Sequence, residues 1–190
     1  TEDLPFNFIF DVSTFNDPDI GDTLSYQAEL LGGAALPAWL NFNSGTRTFS
    51  GTPSNEHVGT ISIVITANDG NGGTITTNFD IEVRNTNDAP IVNSSIPNQV
   101  ATEDTPFNFT LDPATFSDPE ATDSLALSAK LSDGSPLPSW LNFDSATGVL
   151  SGTPLNSDVG TLSIDITASD GNGGMVTTNF DIEVGNTNDA

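Results

Sequence analysis

An all-β protein built from two β-sandwich domains in tandem is the fold this sequence predicts, and three observations predict it. Residues 1–89 and 102–190 align without a gap at an offset of 101, with about 56 of 89 positions identical. A period of that length is a whole domain, too long for a solenoid repeat. Apolar residues alternate with polar ones over long stretches, and helix signals are nearly absent. Turns rich in Gly, Pro, Asn and Asp punctuate the chain every ~8–12 residues, as they do in sandwiches. The domains read as 1–89 and 90–190, each just large enough for one core.

In chain order, Pro5–Phe10 and Leu24–Leu30 read as strands separated by the acidic turn Asp17–Asp22. Pro37–Phe42 and Arg47–Ser50 read as shorter strands. In Thr60–Ala67, Ile61, Ile63, Ile65 and Ala67 alternate with mostly polar residues; Ile75, Thr77, Phe79, Ile81 and Val83 do so in the next strand. Asp69-Gly-Asn-Gly-Gly73 joins these two as a hairpin turn. The second repeat carries the same series. Residues 90–101, with Ile91, Val92, Ile96 and Val100, read as one strand opening the second domain. Its counterpart in the first domain would precede Thr1, which leaves an open edge expected there. Trp39, Trp140, Phe8, Phe15, Phe42 and Phe79 read as core.

The formal net charge of −23, with only Arg47, Arg84 and Lys130 to offset the acids, excludes nucleic acid and anionic membranes as electrostatic partners. No apolar run is long enough to span a bilayer. Without cysteine there is no disulfide and no thiol chemistry, and a metal is the remaining staple for a small domain. One His and no Cys supply no nucleophile–base pair, so no enzyme is expected.

The acids gather in turns. Each repeat has Glu2 or Glu103, Asp17-Pro-Asp-Ile-Gly-Asp22 or Asp118-Pro-Glu-Ala-Thr-Asp123, Asp69 or Asp170, and an exit segment Asn85-Thr-Asn-Asp88 or Asn186–Asp189. Carboxylate and amide oxygens with almost no imidazole or sulfur suit calcium, and suit zinc, copper or iron poorly. An EF-hand is rejected, because Ala28 and Ala129 stand where its bidentate Glu belongs. The glycine-rich calcium nonapeptide is rejected for want of tandem copies.

Thr-Glu-Asp-x-Pro-Phe, Asp-Pro-Asp, Ala-x-Asp-Gly and Asn-Thr-Asn-Asp-Ala-Pro together resemble the motif set of cadherin repeats. Pro-x-Trp-Leu-x-Phe, Ser-Gly-Thr-Pro and Asp-Val-Gly-Thr sharpen this to the dystroglycan-type cadherin-like domain of bacterial surface and secreted proteins. The resemblance covers the whole chain, twice. It implies Ig-like Greek-key sandwiches, an extracellular location, and calcium at the joint between repeats. By the same resemblance Glu2, Asn85, Asn87 and Asp88 meet Asp118, Glu120, Asp123 and Asp170 at that joint. Asp17, Asp19, Asp22 and Asp69 would face an upstream linker, and Glu103, Asn156, Asp158, Asn186, Asn188 and Asp189 a downstream domain. The family's Asp-Arg-Glu ligand motif is missing: Asn55 and His57, then Asn156 and Asp158, occupy its place. With Asn85 for the usual Asp as well, calcium affinity near ~10⁻⁴–10⁻³ M is expected.

Two other readings stand beside this one. Cadherin-like domains of this kind also suggest polysaccharide or another surface adhesin as partner, which predicts Trp39, Trp140 and Tyr26 as an exposed stacking strip. A salt-adapted acidic surface without specific ions is the third.

Overall fold

The computed structural model describes residues 1–19, 21–120 and 122–188. Asp189, named above among the exit residues, lies outside them. The chain divides into two compact units, Thr1–Thr86 and Asn87–Ala190.

Unit 1 contains β1 (Phe6–Ile9), β2 (Ser25–Leu30), β3 (Leu40–Asn43), β4 (Thr48–Gly51), β5 (Gly59–Asn68) and β6 (Thr74–Val83). They form two three-stranded sheets, β1-β4-β3 and β2-β5-β6, each antiparallel throughout. Leu40 and Phe49 from the first sheet close on Ile63, Ile65, Ile81 and Val83 from the second, which is the core of a sandwich. Ile63, Ile65 and Ala67 are buried as the period of two requires.

Unit 2 contains β7 (Ile91–Val92), β8 (Gln99–Thr102), β9 (Phe107–Thr110), β10 (Phe116–Ser117), β11 (Ala126–Leu131), β12 (Leu141–Asp144), β13 (Val149–Gly152), β14 (Gly160–Ser169) and β15 (Met175–Gly185). The sheet β12-β13-β9 repeats its counterpart in unit 1, and β11-β14-β15-β8 gains a fourth strand paired parallel to β15. Ile164, Ile166, Ile182 and Leu150 form the centre of its core.

Residues 90–101 are two strands, not the expected one. β7 pairs with β10 and β8 with β15, so the segment serves two different sheets. Pro97, which lacks an N–H, stands between them. The short strands also begin late: Pro37 and Trp39 belong to a turn in which the Leu40 N–H donates to the Pro37 carbonyl at 2.9 Å. Phe15 is buried, and Phe42, Phe79, Trp39 and Trp140 pack half-buried against the cores, whereas Phe8 is 38% exposed.

Two motifs are explained by contacts. A Cβ on Gly51 would stand 1.8 Å from the Trp39 carbonyl oxygen, and one on Gly152 1.7 Å from that of Trp140. Only glycine lets the Ser-Gly-Thr-Pro strand cross so close to the Trp backbone. Thr-Glu-Asp is tied to the same motif, since the Asp3 N–H donates to the Pro53 carbonyl and the Asp104 N–H to that of Pro154. Asp3 and Asp104 take left-handed φ values of 55° and 56°, which Asp tolerates, and the preceding Glu2 and Glu103 are buried.

Candidate metal centre

In unit 2 the turn after β10 presents Asp118, Glu120 and Asp123, with one carboxylate oxygen of each within 4.8 Å of the others. Asp118 Oδ1 accepts the Glu120 N–H at 2.9 Å, which curls the turn and aims the side chains together. Asp118 Oδ2 is buried and has no hydrogen-bond partner among the described residues.

Asp170, buried at the β14–β15 turn, is held by its own turn. Its oxygens accept the N–H groups of Asn172 at 2.7 Å and Gly174 at 3.0 Å, and the Asn87 side-chain amide at 2.8 Å. Asp88 lies beside Glu120, its N–H donating to Oε2 at 3.2 Å. Unit 2 therefore gathers six of the expected residues: Asn87, Asp88, Asp118, Glu120, Asp123 and Asp170.

The electrostatics follow from this crowding. Burial raises the Glu120 pKa, the close approach of the Asp118 carboxylate to its side chain and the charges of Asp88 and Asp118 raise it further, and the Asp88 N–H opposes them. The Asn87 amide and the turn N–H groups lower that of Asp170. The signs oppose. From Glu120, unit 2 loses stability as pH rises from the unfolded carboxylate value through the raised folded one. From Asp170, it gains stability above the unfolded value of 3.8 and loses it as pH falls through the folded one.

Each unit also holds a buried Glu. Glu2 is fully buried; its Oε1 accepts the Thr86 N–H at 2.7 Å and its Oε2 has no partner among the described residues. Glu103 is 1% exposed, with Oε1 on the Thr187 N–H at 2.5 Å and Oε2 without a partner among the described residues. Asn85 is exposed in unit 1, near its own chain at the Thr86 carbonyl. Asp17, Asp19 and Asp22 cluster as their counterparts do, and Asp69 is pinned by Asn71 and Gly73 N–H groups.

The cations of the described residues are used elsewhere: Arg84 pairs with Glu82, Arg47 donates to the Phe10 carbonyl, and Lys130 stands opposite Asp165 on β14. A carboxylate oxygen withdrawn from water with neither donor nor cation is costly, and a hard cation removes that cost. The donor set therefore fits calcium.

His57 and Asp158, which stand where the missing motif would be, turn onto their own 3₁₀ turns. His57 Nδ1 accepts the Ser54 N–H at 3.0 Å and Asp158 Oδ2 the Leu155 N–H at 2.8 Å. Sequence reasoning missed Asn71 and Asn172. Their amides reach Asp22 Oδ2 and Asp123 Oδ2 at 2.8 Å, which fastens the hairpin turn to the acidic turn in both repeats. The signal was there as the Asn of each Asp-Gly-Asn-Gly-Gly. Tyr26, Trp39 and Trp140 form no exposed strip; all three lie half-buried against the cores.

Known proteins share this architecture. The chain is 34% identical over 149 residues to the serine-rich adhesin for platelets of Staphylococcus aureus, a match covering 78% of this chain and 6% of that protein. It thus spans a small fraction of the curated relatives it matches. Among solved structures, protocadherin gamma B7 cadherin domains 1–4 align with a TM-score of 0.56 at 20% identity, over 88% of this chain and 43% of that one. Drosophila N-cadherin EC1-4 gives 0.56 at 16% identity, over 87% and 42%. At these identities the likeness concerns the fold. The profile of the family described as "Putative Ig domain" matches residues 1–84 and again 89–185, so the chain belongs to that family and carries its domain twice.

Proposed function

We propose that this chain is a calcium-binding spacer and adhesion module of a cell-surface or secreted protein, of the dystroglycan-type cadherin-like kind. The observation that carries the calcium reading is the buried Asp118 Oδ2, without a hydrogen-bond partner among the described residues, in one cluster with the carboxylates of Glu120 and Asp123, with Asp88 against Glu120 and Asp170 held by Asn87. Calcium would be held by those residues with Asn87, and the family resemblance adds Glu2 and Asn85 as ligands to the same ions. The cation would neutralise carboxylates that otherwise repel, and so stiffen the tandem. Likeness to an adhesin supports the surface setting; polysaccharide binding has no exposed aromatic strip in its favour.

Calorimetric titration of calcium into the chain tests this. Saturable binding in the ~10⁻⁴–10⁻³ M range is expected, weakened at least about tenfold in Asp118→Asn. No heat beyond dilution, or equal affinity in the variant, would remove the calcium reading. Indistinguishable scattering curves with calcium and with chelator would remove the stiffening.

A further inference from the structure

The two repeats differ in what fills one end of the sandwich. In unit 1 the Tyr26 ring packs edge-on against Phe10, with ring centroids 5.3 Å apart, and tilts over Phe15 at 5.8 Å. Arg47 closes the same end, its Nε donating to the Phe10 carbonyl at 3.4 Å. At the offset of 101, unit 2 keeps Phe116 for Phe15 and Leu125 for Leu24. It replaces Tyr26 by Leu127, Phe10 by Leu111 and Arg47 by Gly148.

Three large groups are thus lost from one place, and the surrounding backbone stays put. The Leu111 N–H still donates to the Gly148 carbonyl at 2.9 Å, as Phe10 does to Arg47 in unit 1 at 3.3 Å. Phe116 is further fixed by its ladder with Val92. A site held by backbone cannot collapse onto the lost volume. The result is a cleft of about 380 Å³ lined by Leu111, Asp112, Phe116, Leu125, Leu127 and Gly148, within the ~300–1,000 Å³ range of small-molecule sites.

We propose that this cleft binds a neutral phenolic ring, the group that the other repeat supplies from its own chain. Phe116 offers the ring contact that Phe15 gives Tyr26, the leucines offer apolar walls, and the Asp112 carboxylate is an acceptor for a hydroxyl. Neutrality follows from the −23 net charge, which opposes anionic aromatics. Nothing in this proposal depends on calcium.

The test is a titration of the whole chain, methyl-labelled at leucine, with p-cresol, followed by NMR. Saturable shifts are expected at Leu111, Leu125 and Leu127, with Leu24 of unit 1 unmoved. Leu127→Tyr and, independently, Leu111→Phe should each weaken binding at least about tenfold by filling the cleft, and 4-hydroxybenzoate should bind at least about tenfold more weakly than p-cresol. A blocked Gly-Tyr-Gly peptide separates the sources: binding identifies a tyrosine side chain of another protein, and binding of p-cresol alone identifies a free phenol. Absence of saturation by both probes, or unchanged affinity in both filled variants, would overturn the proposal.

Discussion

At the scale of the residue, glycine and buried glutamate carry more of the fold than their exposed neighbours in the same motifs suggest. Gly152 is under a constraint no other residue satisfies, because the Trp140 carbonyl sits where a Cβ would be. Gly152→Ala must push two backbones apart inside a packed sandwich. It is expected to destabilise unit 2 by about 3 kcal/mol or more, measured by urea unfolding. Ser151→Ala, one residue away and half-buried, is the control expected to cost less. The motif was visible in the sequence, but its reason was not, since a steric clash between residues 12 apart exists only once strands cross. The same holds for the acids. Their types and places in turns were legible from composition and turn chemistry. That Glu2 and Glu103 take the backbone N–H groups of Thr86 and Thr187, or that the Asn172 side-chain amide fastens Asp123 from a different turn, depends on chain segments far apart in sequence, which no local pattern reveals.

At the scale of the element, long alternation was legible and short strands were less so. β5 and β14 bury every second residue over half their length, which specifies register by itself. The segment 90–101 misled because Ile91, Val92, Ile96 and Val100 lie scattered among Asn93, Ser94, Ser95 and Asn98 with no period to mark where one strand ends and the next begins. Val100 is in fact 73% exposed and Ala101 is buried, because pairing to β15 sets Ala101 opposite Val184 and faces it inward.

That segment also explains why equivalent residues differ in burial between the units. Phe180 is buried in unit 2, which has the fourth strand, while Phe79 is half-buried on the three-stranded sheet of unit 1. Unit 1 lacks the cover that Ile96 and β8 provide among the described residues. Placing Ile-Pro-Asn-Gln-Val-Ala, the sequence of residues 96–101, ahead of Thr1 should supply it. The added ladder and one buried Ile are expected to stabilise unit 1 by about 2 kcal/mol, on the order of 10 °C in its melting transition by calorimetry. Asp in place of the grafted Ile should abolish the gain. An unchanged transition would mean that the stripe is already satisfied.

At the scale of the whole molecule the question is what the net charge of −23 is for. A salt-adapted surface and a calcium-binding module both predict stabilisation by added ions, so the distinction lies in which ions and where. Diffuse repulsion responds to ionic strength alone, through screening, and any salt serves. A gathered set of carboxylates responds to a divalent cation by mass action, with a gain of about 2.7 kcal/mol at a concentration 100 times the Kd. Unit 2 gathers Asp88, Asp118, Glu120, Asp123 and Asp170 by contacts within itself, so it should carry the larger share of the response. Calcium is therefore expected to raise the unit 2 melting transition well beyond sodium chloride at matched ionic strength. Glu120→Gln should reduce that excess while leaving the sodium response unchanged. Equal shifts with the two salts would return the acids to a solvated surface, and a calcium effect confined to unit 1 would move the centre to Asp17, Asp19, Asp22 and Asp69.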